Sequence, residues 1–213
     1  MDKTQYIDTY TEQLAKLKTI IETANSRIVS DDPDSFFQDN VNFFSKSFLV
    51  LMCVYLESYL KDVFMVVVDE ANRKLELHNL PYNLIKWSLD TKKDFKDGKF
   101  EDFKIRVKKK DLDDFISGNP YRTKDLCVKF GINLEDDSIY NIQKEAINSI
   151  IRKRNNVIHY NDDASDVSNA DLLTYLDSIS NYISNIDKII CNNVFSPPIK
   201  NTKIWQQQQE ETL

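Results

Sequence analysis

Two histidines, His78 and His159, are the chain's only imidazoles. Any mechanism that uses imidazole as acid or base near neutral pH therefore runs through one of them. His78 stands just before Asn79, Leu80 and Pro81 and reads as a helix-terminal residue. His159 closes a more informative run, Ile150-Ile151-Arg152-Lys153-Arg154-Asn155-Asn156-Val157-Ile158-His159-Tyr160-Asn161. Arg154 follows Ile150 and Ile151 at helical spacing and precedes Val157 and Ile158 likewise, which puts it on an apolar stripe where an unpaired charge is costly. Glu57 is the matching anomaly, flanked at helical spacing by Cys53, Val54, Leu60 and Phe64. Two opposite charges on apolar faces suggest a Glu57–Arg154 pair across two helices. The alternatives are that both side chains snorkel to solvent, or that the pair only fixes helix register. Imidazole and guanidinium together are a sufficient kit for phosphodiester transfer without a metal: one moves a proton, the other stabilises developing phosphate charge.

The spacing also sets a geometric problem. Arg152 and Asn155 lie seven and four residues before His159 and share its helical face with Asn148. Arg154 lies five residues before His159, about 140° away around a regular helix. Arg154 and His159 converge only if the helix ends or bends there, or if a second subunit completes the site. The following Asn161-Asp162-Asp163 suits a helix stop near residue 161, and a helix C-terminus favours a protonated histidine.

The elements that must hold these residues are helical. Residues 3–29 carry Tyr6, Tyr10, Leu14, Leu17, Ile20 and Ile21 at three- and four-residue steps. Asp31-Asp32-Pro33-Asp34 reads as a turn that starts the next helix. From 35 to about 77 there is no Gly or Pro, and Val41, Phe44, Phe48, Leu51, Tyr55, Leu56 and Leu60 mark a stripe. The stretch 48–56 is apolar on every side and is expected to be central to the core. A third long helix over 138–160 is expected to turn Ile139, Ile142, Ala146, Ile150, Ile151, Val157 and Ile158 inward. A fourth spans 168–192, opened by a capping box of Ser168 and Asp171.

All three glycines, Gly98, Gly118 and Gly131, fall between the second and third long helices. The expected fold is all-α: an antiparallel four-helix bundle with an irregular insertion at about 80–136, in one domain over 1–200, followed by a polar tail over 201–213 containing Trp205. Within the insertion, Phe103, Ile105 and Val107 alternate with Lys104, Arg106 and Lys108, which reads as a short strand or edge. With Lys109 and Lys110 these cations either meet phosphates or form a solvated face, and the solvated face is the plainer reading.

Composition excludes several classes. The chain has 213 residues, 41% hydrophobic and 29% charged, as in a soluble globular protein. With three glycines there is no Gly-rich phosphate cradle of the dinucleotide-binding or P-loop kind. Cys53, Cys127 and Cys191 are far apart and form no metal-ligand pair, so reduced thiols in a cytoplasmic protein are expected. No acidic cluster points to a two-metal site, and neither a metal nor another cofactor is expected. Residues 1–4 are polar and do not read as a signal peptide, and no apolar run reaches the ~20 residues of a membrane span. The formal net charge of −6 argues against a wholesale nucleic-acid coat while leaving room for local basic patches.

The run Arg154-Asn155-Asn156-Val157-Ile158-His159 resembles the R-N-x-x-x-H signature of the HEPN superfamily, all-helical bundles of which many are RNases. Residues 48–62, an apolar run followed by Glu57-Ser58-Tyr59-Leu60-Lys61-Asp62, resemble the second-helix signature of its RiboL-PSP-like branch. Together the two motifs touch about a tenth of the chain. The resemblance implies a metal-independent endoribonuclease, toxin-like or serving phage defence, that works as a homodimer with the Arg and His of both subunits in one interface cleft. Carried over, His159 is general base or acid around the RNA 2′-hydroxyl and the leaving oxygen. Arg154 stabilises the phosphate charge, Asn155 orients it, and Glu57 holds the arginine. Arg152 and Lys153 become candidates for RNA phosphate contacts. Arg152 also fits the family's looser spacing, so which arginine is catalytic stays open, with Arg154 favoured because Asn155 follows it. A cognate antitoxin or defence-system partner is an expectation of the same kind. The toxin branch often carries Tyr two residues after the His; here Tyr160 follows directly and Asn161 holds that position. The alternative on the same fold is a non-catalytic HEPN-like module that binds a partner protein, a nucleotide or RNA.

Overall fold

A computed structural model describes residues 2–89, 99–160 and 166–195. The expectations for Gly98, for Asn161-Asp162-Asp163 and for the tail with Trp205 lie outside the described residues. Among the described residues the protein is all-helical, with no strand. The α-helices are α1 (Ile7–Ile28), α2 (Ser35–Asp39), α3 (Val41–Glu76), α4 (Tyr82–Leu89), α5 (Pro120–Lys129), α6 (Ser138–Tyr160) and α7 (Asn169–Val194), with single 3₁₀ turns at Lys109–Leu112 and Leu134–Asp136.

The four long helices, α1, α3, α6 and α7, share one core; α7 packs on each of the other three, and α3 on α1 and α6. Each helix has a local cause. The expected helix over 35–77 divides at Asn40, whose side-chain amide donates to the Phe36 carbonyl at 2.8 Å. A short amide side chain bonding its own backbone competes with helix continuation, so α2 stops and α3 starts there. Asp34 caps α2 by accepting from Phe36 N–H. Beyond Asn40, 36 residues without Gly or Pro run as one helix. The capping box that opens α7 is present: Ser168 Oγ accepts from Asp171 N–H, and the Asp171 carboxylate accepts from Ser168 N–H.

Burial corrects three expected faces. On α1, Tyr10, Leu14, Leu17 and Ile21 are buried as expected, but Ile20 is exposed. On α6 the inward residues are Tyr140, Ile147, Ile150, Ile151 and Val157, while Ile139, Ile142, Ala146 and Ile158 face solvent. On α3, Leu51 and Val54 are exposed, so 48–56 is not enclosed on every side. A wide apolar stripe says that one side packs; its edges are set by the neighbours that arrive.

The alternating segment 103–107, expected as a strand or edge, pairs with no strand among the described residues; Phe103 N–H donates to the Leu80 carbonyl at 2.7 Å, and the segment beyond it runs beside α3. A side chain of α3 takes the place of a strand: Ile105 N–H donates to Asn72 Oδ1 at 2.8 Å, and Asn72 Nδ2 donates to the Ile105 carbonyl at 3.0 Å. The one bridge nearby joins Pro81 and Asp102. Three of the segment's cations are matched by acids: Lys104 by Glu76 at 3.4 Å, Arg106 by Glu101 at 2.6 Å, and Lys109 by Asp62. These are solvent-exposed pairs of small net value.

The stretch after the first 3₁₀ turn presses on the long helices through a glycine. Gly118 has φ +67°, and a Cβ built there would lie 2.6 Å from Ile151 Cδ1 and 3.5 Å from Leu56 Cδ2. Gly118→Ala meets both left-handed strain and a clash with a fully buried side chain. It should destabilise the fold by about 2–3 kcal/mol, read as a lowered urea midpoint at unchanged slope. A neutral result would mean that this loop does not seat against α6 in solution.

The three cysteines are buried. Burial pushes the thiols of Cys53 and Cys127 up to about 12 and that of Cys191 to about 11, so all three stay protonated and unreactive at neutral pH. Among the described residues, no helix is long and apolar enough to cross a membrane.

Candidate functional site

α3 and α6 bring the two anomalous charges together. Arg154 forms an ion pair with Glu57 through Nη2 and Oε1. The side chains are 13% and 24% exposed, so the pair is screened from water but open on one side. Nη1 of Arg154 also donates to Asn155 Oδ1 at 3.1 Å, while the buried Nε has no hydrogen-bond partner. Cys53, four residues before Glu57 on α3, completes the surroundings: the guanidinium draws its thiol pKa down, though burial outweighs that pull. Arg154 is therefore held through one nitrogen by a carboxylate and through another by its neighbouring amide. A guanidinium so fixed presents its donors without first losing side-chain freedom.

The remaining sequence candidates lie elsewhere on α6. His159 is exposed in the helix's last turn. Its side chain leaves the helix about 140° from that of Arg154 and about 7.5 Å further along the axis, because α6 stays regular through this stretch. A single chain thus brings Glu57, Arg154 and Asn155 together and leaves His159 apart. Arg152 is exposed on the His159 side of the helix. Lys153 pairs with Asp166, and that ammonium holds the Asp166 carboxyl below its usual range. His78 is exposed in the turn after α3, its N–H bonded to the Leu75 carbonyl at 2.9 Å. Among the described residues, no group of three or more His, Cys, Asp or Glu side chains is placed to hold a metal ion.

Sequence reasoning missed the apolar surface that leads to the pair. Phe43, Val50 and Val54 share one line of α3 with Glu57, at three- and four-residue multiples. Phe43 is 65% exposed, Leu51 36% and Val54 43%. With Lys46, Ser47 and Val50 they line a shallow open groove. On α6, Ile158 stands four residues after Arg154 and is 49% exposed. Exposed Val54, three residues before Glu57, and exposed Ile158, four residues after Arg154, thus flank the pair on the two helices, and the groove runs from Val54 back along α3 to Phe43. The alternation of these residues with the core stripe carried no signal that distinguished them from core. Asn148, which shares the His159 face, accepts from Asn119 Nδ2 at 3.2 Å, which ties the start of α5 to α6.

The model of the RiboL-PSP-HEPN family matches the chain over residues 7–192. Both long-helix motifs and everything between them fall inside that span, and the chain belongs to this family. Comparisons with curated proteins and with solved structures found no match.

Proposed function

We propose that this RiboL-PSP-HEPN protein is a metal-independent endoribonuclease whose site is completed by a second copy of the chain. One observation carries the reading: a fixed, largely buried guanidinium at Arg154 and an exposed imidazole at His159 lie five residues apart on one helix. The exposed apolar residues around the Arg154–Glu57 pair supply a surface for the second copy to cover. Across such an interface, the Arg154 of one subunit can approach the His159 of the other.

The chemistry follows from the two groups. Neutral His159 takes the proton from the RNA 2′-hydroxyl as that oxygen attacks the adjacent phosphorus. Arg154 donates hydrogen bonds to the non-bridging oxygens as negative charge builds on them. The 5′-oxygen leaves with a proton from a protonated imidazole. The products are a 2′,3′-cyclic phosphate and a 5′-hydroxyl. Glu57 fixes the guanidinium, and Asn155 orients it from the other side. Arg152, exposed beside His159, is the better-placed contact for a neighbouring phosphate; Lys153 is already engaged by Asp166. Family resemblance supports the wider setting, a cytoplasmic toxin-like or phage-defence effector with an antitoxin or defence-system partner. It also supports a four-helix bundle carrying residues 80–136 as an inserted lobe.

A second reading has its own observation. Arg154 is already satisfied on two nitrogens, and the formal net charge is −6. A non-catalytic module that binds a protein, nucleotide or RNA would need no more than that. Purified protein with total cellular RNA in EDTA separates the two. Fragments ending in 2′,3′-cyclic phosphate are the expected result. Intact RNA at every protein concentration tried would favour the binding module, and cleavage lost on adding EDTA would overturn the metal-independent mechanism.

A further inference from the structure

A second cavity lies away from the Arg154–Glu57 pair, where the C-terminal half of α3 meets residues 105–130. Its volume is about 310 Å³. Val67, Val68 and Ala71 form one wall; Val107, Phe115 and Leu126 form the other. The walls are braced from outside. Asn72 clasps both backbone groups of Ile105, and the rings of Phe64 and Phe130 pack with centroids 5.1 Å apart. Val67, Val68 and Leu126 are at most 6% exposed, so the α3 and α5 sides belong to the fixed core. An apolar space of this size, braced on both sides and open to solvent, has room for a ligand. An engineered cavity of about 150 Å³ stays dry and takes one benzene. Twice that volume suits a fused two-ring aromatic or a medium-length alkyl chain, at the lower end of ligand pockets in general.

Two charged residues stand among the lining, and they are not equivalent. The Asp111 carboxylate accepts the Lys108 N–H at 2.8 Å and is committed to its own 3₁₀ turn. The Lys129 ammonium sits over the Phe115 ring, 4.9 Å from the centroid. Among the described residues no carboxylate pairs with Lys129. A cation held over an aromatic face keeps its N–H donors for an incoming acceptor.

We propose that this cavity binds a small monocarboxylate, its apolar body between α3 and α5 and its carboxylate on Lys129. The charge selects the head group and the volume selects the body. The proposal is independent of RNA cleavage.

Calorimetric titration of the full chain tests it, using 2-naphthoate and octanoate beside their neutral analogues 2-naphthylmethanol and 1-octanol. Saturable 1:1 binding of at least one carboxylate is expected, with the neutral analogue at least tenfold weaker. The stronger of the two shows whether an aryl or an alkyl body is preferred. Lys129→Met keeps the stem over Phe115 and removes the charge; it should weaken the carboxylate about tenfold or more and leave the neutral analogue unchanged. Ala71→Phe should fill the space and abolish both. If Ala71→Phe fails to fold, the exposed Lys129→Met variant still decides. Absence of saturable binding would overturn the proposal. So would neutral analogues binding as tightly as the acids, or carboxylate affinity unmoved by Lys129→Met; either would leave the slot to an apolar side chain of a partner protein.

Discussion

Replacing His159 with alanine should lower RNA cleavage by about 10²- to 10⁴-fold, the range lost with a positioned acid–base group, and leave the melting temperature unchanged. Both halves of that expectation come from where the residue sits. His159 is exposed in the last turn of α6, so its removal opens no cavity and orphans no buried partner. Arg154→Ala is a less clean test. It also removes activity, but it leaves the Glu57 carboxylate beside buried Cys53 without its counter-charge. That should cost ~1–3 kcal/mol of stability, and the melting curve would report it. Arg152→Ala separates the two arginines. Exposed Arg152 should cost binding, a several-fold rise in KM with kcat little changed. If instead Arg152→Ala abolished turnover while folded Arg154→Ala kept it, the catalytic arginine would be Arg152 and the Glu57–Arg154 pair would be structural. Full activity in His159→Ala would remove the ribonuclease mechanism altogether.

What could be read from the sequence follows from which physical costs are local. A charge on an apolar helical stripe is expensive wherever it is, so Glu57 and Arg154 were visible singly, and their opposite signs suggested the pair. The same argument applies to Asp187, which stands between Ile186 and Ile190. It is 2% exposed and accepts hydrogen bonds from Thr4 N–H at 2.9 Å, Thr4 Oγ1 at 2.5 Å and Tyr59 OH at 3.0 Å. Its donors are a backbone amide and hydroxyls, not a cation, so searching for an opposite charge could not find them. The Ser168–Asp171 capping box was legible because all its atoms lie within four residues. The alternation at 103–107 reads as a strand and no strand forms among the described residues, because alternation says nothing of what satisfies the Ile105 backbone. That role falls to Asn72, 33 residues away in sequence. The expected α6 face holds at Ile150, Ile151 and Val157 and fails at Ile139, Ile142, Ala146 and Ile158 for a related reason. Ile139, Ile142 and Ala146 follow a helical period as good as that of Tyr140, Ile147 and Ile151. Which of the two packs depends on where α5 and α7 arrive, and a period carries no information about neighbours.

Mixing two inactive variants should restore cleavage. Arg154 and His159 of one chain diverge by about 140° on a regular helix, so a site that needs both draws them from different copies. In the proposed two-fold dimer the same patch of each chain faces the other, so the Arg154 of each copy can approach the His159 of its partner. A homodimer of His159→Ala has arginine without imidazole, and one of Arg154→Ala has imidazole without arginine. A heterodimer of the two keeps one of each across the interface. Co-refolding the variants in equal amounts gives half heterodimers, and with one productive pairing left of two, about a quarter of wild-type activity is expected. The measurement reads geometry as well as activity, because complementation fails if each chain holds a complete site or if the chain acts as a monomer. The exposed residues bordering the pair supply the control. Val54→Asp places a charge on the apolar line three residues from Glu57, where a covered carboxylate lacks a partner. It should shift the protein toward monomer in sedimentation while its helical content holds, and mixtures carrying it in both chains should lose complementation. Recovery that survives Val54→Asp would place the interface on another face of the molecule and detach the α3 groove from the site.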